Sequence, residues 1–178
     1  NRFFYVGMFF AIAMISGNEL LAAITQDVDS TPGVIDTIKT FDFENDKLDV
    51  APSAWTSFSG KQFVRKVIDQ NARTGTRCLS LSMQPEKSTK QSSGAIHYKV
   101  VDLKKLRGKR IRFRCYVRAQ LSTGGKALLL LREDLKSGEV GAFDNMETRP
   151  IKSGSWKQYE IVADISKAAE AVNLGILV

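Results

Sequence analysis

An antiparallel β-sandwich or barrel is the fold class this sequence predicts, on three observations. Ile111, Phe113, Cys115 and Val117 alternate strictly with Arg110, Arg112, Arg114, Tyr116 and Arg118. That is the period of a strand with one face in a core and the other in water. Short apolar or alternating segments recur along the chain between Ser59-Gly60, Thr74-Gly75, Ser93-Gly94, Arg107-Gly108, Gly124-Gly125, Ser137-Gly138 and Ser153-Gly154. Helical periodicity is scarce. Many short strands with regular turn punctuation form two antiparallel layers. The 178 residues, 43% hydrophobic and 25% charged, suit one globular domain and exclude a disordered tail, a collagen-like fibre and a multi-pass membrane protein. Two cysteines are too few for a disulfide-dense scaffold or a four-cysteine zinc site.

The elements follow in order. Arg2 precedes an apolar run from Phe3 to Ile15, and Ser16, Gly17 and later Ala22-Ala23 give a small-residue exit. Residues 1–23 therefore read as a signal peptide with a helical core, too short for the ~20 apolar residues of a transmembrane helix. Residues 24–36, with Pro32-Gly33, read as a linker, and 37–178 as the folded domain. Strands are expected over 38–43, 62–69, 78–83, 94–101, 109–118, 126–132, 156–163 and 173–178. Ser166 is expected to cap a helical turn running through Val172, and Leu103 to Leu106 to make another. Cys115 shares the inward parity of its strand, whereas Cys78 shares parity with Ser80 and Ser82, which argues against a disulfide.

The net charge of +7 is unevenly spread. Residues 87–118 carry eleven basic side chains and one acid, Asp102. The plain explanation is a solvated face: Arg110, Arg112, Arg114 and Arg118 form the outward half of one strand, and Lys104, Lys105 and Lys109 sit in the turn before it. Acids on facing strands would complement them. The alternative is a polyanion-binding face with strongly salt-dependent affinity. Export argues against nucleic acid as the partner.

Catalytic patterns are missing. His97 is the sole histidine and alternates with apolar residues, so it reads as structural or as a rim residue. No Gly-x-Ser-x-Gly elbow, P-loop, metalloprotease helix or dinucleotide-binding glycine pattern occurs. No catalytic residue, metal-ligand set or cofactor is called for, and a structural calcium is left open. Aromatics are the better lead, because sugars present flat C–H faces that stack on rings while their hydroxyls need amides, carboxylates and guanidiniums. The candidate ligand-binding residues are Trp55, Tyr98 and Phe143, with Arg132, Asp144, Asn145 and Arg149 as polar partners. Trp55 reads equally well as core, and Trp156 reads as core.

The order of motifs resembles a known family. It comprises Phe41-Asp42-Phe43-Glu44, then Gly75-x-x-Cys78-Leu79-Ser80-Leu81, and Leu106-Arg107-Gly108-Lys109 entering the basic strand. Phe143-Asp144-Asn145-Met146-x-x-Arg149-Pro150-Ile151 and Trp156-x-x-Tyr159-Glu160-Ile161-Val162 follow. Together they resemble the galactose-binding-like jelly roll, similar to carbohydrate-binding modules, that precedes the catalytic part of secreted bacterial hydrolases such as tail-specific serine peptidases and erythromycin-esterase-like proteins. The resemblance implies a non-catalytic accessory domain, secreted or in the periplasm or cell envelope. Its implied partners are a glycan or cell-wall polysaccharide and a downstream catalytic domain, with neither nucleic acid nor, after signal cleavage, membrane. A purely structural N-terminal domain of such an enzyme is the alternative it leaves. Two departures are visible: Leu106 stands where the family has an aromatic, and the chain stops at Val178, before the family's closing strand.

Overall fold

The basic strand is the centre of the first of two sheets. In the computed structural model the described residues are 12–16, 23–27, 35–39, 41–57, 63–84, 93–152 and 154–178, the first three segments as backbone alone. The first sheet has seven strands: β1 (Ile12–Ser16), β2 (Ala23–Asp27), β3 (Ile35–Lys39), β5 (Phe63–Ile68), β6 (Cys78–Met83), β8 (Arg110–Gln120) and β11 (Lys157–Asp164). The second has five: β4 (Trp55–Ser57), β7 (Ala95–Val100), β9 (Leu128–Leu135), β10 (Val140–Asp144) and β12 (Ala169–Leu177), in the order β10-β9-β12-β7-β4. All these strand pairings are antiparallel. No helix occurs among the described residues. The chain is thus an antiparallel β-sandwich.

Alternation works as the sequence predicts in β8. Ile111, Phe113, Cys115, Val117 and Ala119 are buried, while Arg112, Arg114, Tyr116 and Arg118 are half-buried on the other face. The inward set meets Leu79 and Leu81 of β6 and Ile161 of β11 from its own sheet. From the second sheet come Ile96, Leu129, Leu131, Val172, Leu174 and Ile176. Burying each such side chain contributes about 1.5–3 kcal/mol, against at most about 1 kcal/mol for a surface ion pair. The core therefore decides stability. Cys115 faces it and Cys78 the other side of the first sheet, and both thiols are free and buried. Burial pushes the Cys78 thiol up to about 11.

Several expectations change. Of the signal segment 1–23, residues 1–11 and 17–22 lie outside the described residues. Ile12–Ser16 is a strand rather than helix, pairing with both β6 and β8. A continuous apolar run suits a strand inside a sheet as well as a helix. The segment read as a linker contributes β2 and the start of β3, while 28–34 lie outside the described residues. The strand expected over 38–43 ends at Lys39, and Phe43 adopts φ +63. The helical turn expected from Ser166 stops after one turn, where Ser166 Oγ accepts from Ala168 N at 3.0 Å, and β12 begins at Ala169.

Two carboxylates tie distant segments together. Glu44 accepts from Thr76 N, Thr76 Oγ1 and Arg77 N at 2.6–3.1 Å, joining the Phe41–Glu44 segment to the turn before β6. Burial opposes ionisation of Glu44, but these donors and the Arg77 charge win and hold its carboxyl below the ordinary range. Gly75 lies under it at φ +64, where a Cβ would come within 2.3 Å of Glu44 Oε1.

Glu133 points from β9 into the interior and is 1% exposed. It accepts from Ala142 N at 2.7 Å and from Ser166 N at 2.8 Å. One buried side chain thereby holds β10 and the β11–β12 turn against β9. Glu133→Ala orphans both backbone amides, at about 1–3 kcal/mol each. A denaturant titration should show the midpoint falling accordingly with m unchanged, and a stability equal to the parent's would contradict this role.

Candidate functional site

Register in the second sheet sorts the predicted residues into three places. Side chains that belong to the core point inward, and the alternate positions form the outer face. Across that face Lys99 of β7 lies opposite Asn173 of β12, Asn173 opposite Arg132 of β9, and Arg132 opposite Phe143 of β10. The next row holds Thr56, His97, Gly175 and Leu130. Asp134 and Val140 pair on the far side of Arg132 and Phe143.

Phe143 is 56% exposed and is the one exposed aromatic among the described residues. A register shift in β10 aims it. Between Val140 and Phe143 the strand advances three residues while β9 advances two, from Asp134 to Arg132. Three residues would ordinarily reverse the facing; the extra residue of the bulge restores it, so both side chains look outward. Gly141 sits in the bulge over Glu133, where a Cβ would lie 2.3 Å from Oε2.

Beside the ring, Asp134 is the hub of a short polar network. Arg132 Nε donates to Asp134 Oδ1 at 2.8 Å, and Asn173 Nδ2 donates to Asp134 Oδ2 at 2.7 Å. Asn173 is 7% exposed, so its amide is held while Arg132 remains exposed. His97 is buried in the next row, where β7 and β12 approach closely. A Cβ on Gly175 would fall 2.2 Å from the Ile96 carbonyl oxygen and 2.8 Å from His97 Cα. The result is an exposed ring beside fixed hydrogen-bonding groups.

The other predicted residues lie elsewhere. Trp55 and Tyr98 face the core side of the same sheet, and Trp55 is 8% exposed. Their rings pack with those of Phe41 and Phe43 at centroid distances of 4.6–6.0 Å. Together with Asp42, Asp46 and Ala54 they line a cavity of about 170 Å³, below the ~300 Å³ at which ligand pockets begin. Asp144 is paired with Arg149 and accepts from Met146 N at 2.7 Å; Asn145 Oδ1 accepts from Glu147 N at 3.2 Å. Asp144, Asn145 and Arg149 thus build the turn after β10. Of the seven, Arg132 and Phe143 come together on the outer face. Asn173, Asp134, Lys99 and His97, which join them there, were not singled out as ligand-binding residues, and nothing local in the sequence marks them.

The basic face belongs to the first sheet. Arg110 forms a two-point pair with Asp164 at 2.8 Å, and Arg112 lies 3.7 Å from Glu160, both acids on β11. Arg114 lies opposite Glu160 in register, and Arg118 stands 5.7 Å over the Trp156 ring. Tyr116 is covered by Arg73 at 3.6 Å. Facing strands therefore supply the acids that a solvated strand needs. Among the described residues no three His, Cys, Asp or Glu side chains group as metal ligands.

The sequence matches no family model and no curated protein. Solved structures resemble the fold. The enzymatically active domain of bacteriophage CBA120 tailspike protein 4 superposes with a TM-score of 0.51 at 14% identity over 70% of this chain, which spans only 17% of that one. A xylan-binding domain of carbohydrate-binding module family 22 superposes with a TM-score of 0.50 at 12% identity, over 74% of this chain and 80% of its own. These likenesses are of fold alone, the antiparallel β-sandwich.

Burial shapes the titration of the site. It pushes His97 below its ordinary value, Lys99 adds to the shift, and Asp134 opposes it. The unfolded chain then binds the proton more tightly than the folded one. His97 thus contributes stability that is complete above the unfolded value of about 6.5 and is lost as pH falls below it. Thermal midpoints should drop between about pH 7 and pH 5.5, and the drop should vanish in His97→Gln; a flat profile in the parent protein would contradict this.

Proposed function

We propose that this domain is a non-catalytic carbohydrate-binding module that takes a polysaccharide chain on the outer face of the β10-β9-β12-β7-β4 sheet. One observation carries the reading: the exposed Phe143 ring stands in register with Arg132 and Asn173, whose side chains Asp134 fixes. A ring offers its face to sugar C–H groups, and the adjoining polar groups address the hydroxyls. Sharing a fold with a xylan-binding domain supports xylan as the first polysaccharide to test.

The setting is part of the proposal. The resemblance to domains of secreted bacterial hydrolases supports an accessory role outside the cytoplasm. There the module would bring a peptidase- or esterase-like catalytic domain of the same protein onto glycan or cell-wall material.

Affinity electrophoresis in gels carrying soluble xylan, mixed-linkage glucan or galactan tests the binding. Phe143→Ala should weaken binding at least about tenfold, a loss of about 1.4 kcal/mol, without lowering the thermal midpoint, because the ring is exposed. Equal retardation of variant and parent, or no retardation of the parent in any gel, would overturn the proposal.

A further inference from the structure

The outer face has an electrostatic asymmetry that a neutral sugar does not require. Its central row carries two cations, Lys99 and Arg132, one on each side of Asn173. The strands bearing them are two spacings apart, about 9–10 Å between backbones. Asp134 is the acid of this row and its neighbour, and both its oxygens are engaged, one by Arg132 Nε and the other by Asn173 Nδ2. Arg132 uses only Nε in that contact, so its two terminal nitrogens are available to a ligand. Lys99 is exposed and has no acid partner among the described residues. The Arg110 and Arg112 of the opposite sheet differ, since Asp164 and Glu160 neutralise them.

We infer that the face prefers a polysaccharide carrying carboxylate sugars, with a uronate bound between Lys99 and Arg132 while a neighbouring sugar stacks on Phe143. A carboxylate supplies planar oxygens that the terminal nitrogens of a guanidinium can meet in pairs, and the ammonium adds a second charge-assisted donor. The inference rests on the outer face being the sugar-binding face, and it adds the ligand's charge.

Binding of the full chain to glucuronoxylan and to the same polymer after chemical reduction of its carboxyl groups tests this directly. Chondroitin sulfate, digested to disaccharides with and without the sulfate ester, distinguishes carboxylate from sulfate recognition. Glucuronoxylan should bind at least about tenfold more tightly than its reduced form at low salt, and the difference should shrink as salt rises. Lys99→Gln and Arg132→Gln should each remove most of that difference, and removing the sulfate ester should matter little. Equal affinity for the native and reduced polymers would overturn the inference and leave the sugar-binding reading standing. A preference that survives in Lys99→Gln and Arg132→Gln but disappears in Arg114→Gln and Arg118→Gln would also overturn it, by placing the anion on the other sheet. Loss of all binding by the parent protein would overturn both.

Discussion

The buried carboxylate of Glu133 is the constraint on which the proposed site depends. It faces the interior from the strand whose next residue outward, Asp134, organises the polar network. By accepting from Ala142 N it fixes the bulged β10, and by accepting from Ser166 N it fixes the turn that leads into β12. β10 carries Phe143 and β12 carries Asn173. A polar group buried this deeply is tolerated only when hydrogen-bond partners satisfy it, and here the donors are the backbone of the elements that build the site. The same interaction explains Gly141, since any larger residue would occupy the space of the Glu133 carboxylate. Placement of one exposed ring thus traces back to a half-buried glycine and a buried acid.

The two sheets treat charge differently. On the first, arginines alternating along β8 meet acids from β11, aromatic rings or a half-buried setting, so these arginines are largely complemented in place. On the second, a shorter and less conspicuous pair of cations flanks an amide with the local acid already committed. Charge density along the chain therefore does not separate the two faces, because Lys99 lies in the same basic stretch as the β8 arginines. What distinguishes a recognition surface is which charges lack partners, and cross-strand register decides that.

Much of the fold was legible because alternation is local. β5, β6, β7, β8, β9 and β11 each announce themselves within six to eleven residues. β10 was invisible because its bulge places Gly141 and Ala142 in sequence where alternation should hold. The start of β12 misled for another reason: Lys167, Ala168, Ala169, Glu170 and Ala171 favour helix by intrinsic propensity, and pairing of Ala169 and Ala171 with β9 overrides it. Sequence singled out Phe143 and Arg132 as candidates but scattered their partners. Asn173 meets Asp134 across 39 residues, a distance no local pattern spans. Trp55 was selected for its chemistry, and it packs beside Phe41 and Phe43 because a short loop strand turned it inward.

The most direct measurement is a backbone amide NMR titration of the protein with a xylo-oligosaccharide bearing one glucuronate. A carbohydrate-binding outer face predicts shift changes confined to Lys99, Arg132, Asp134, Phe143, Asn173 and their strand neighbours in β7, β9, β10 and β12. Shift changes centred on β8 and β11, or none at saturating sugar, would contradict it.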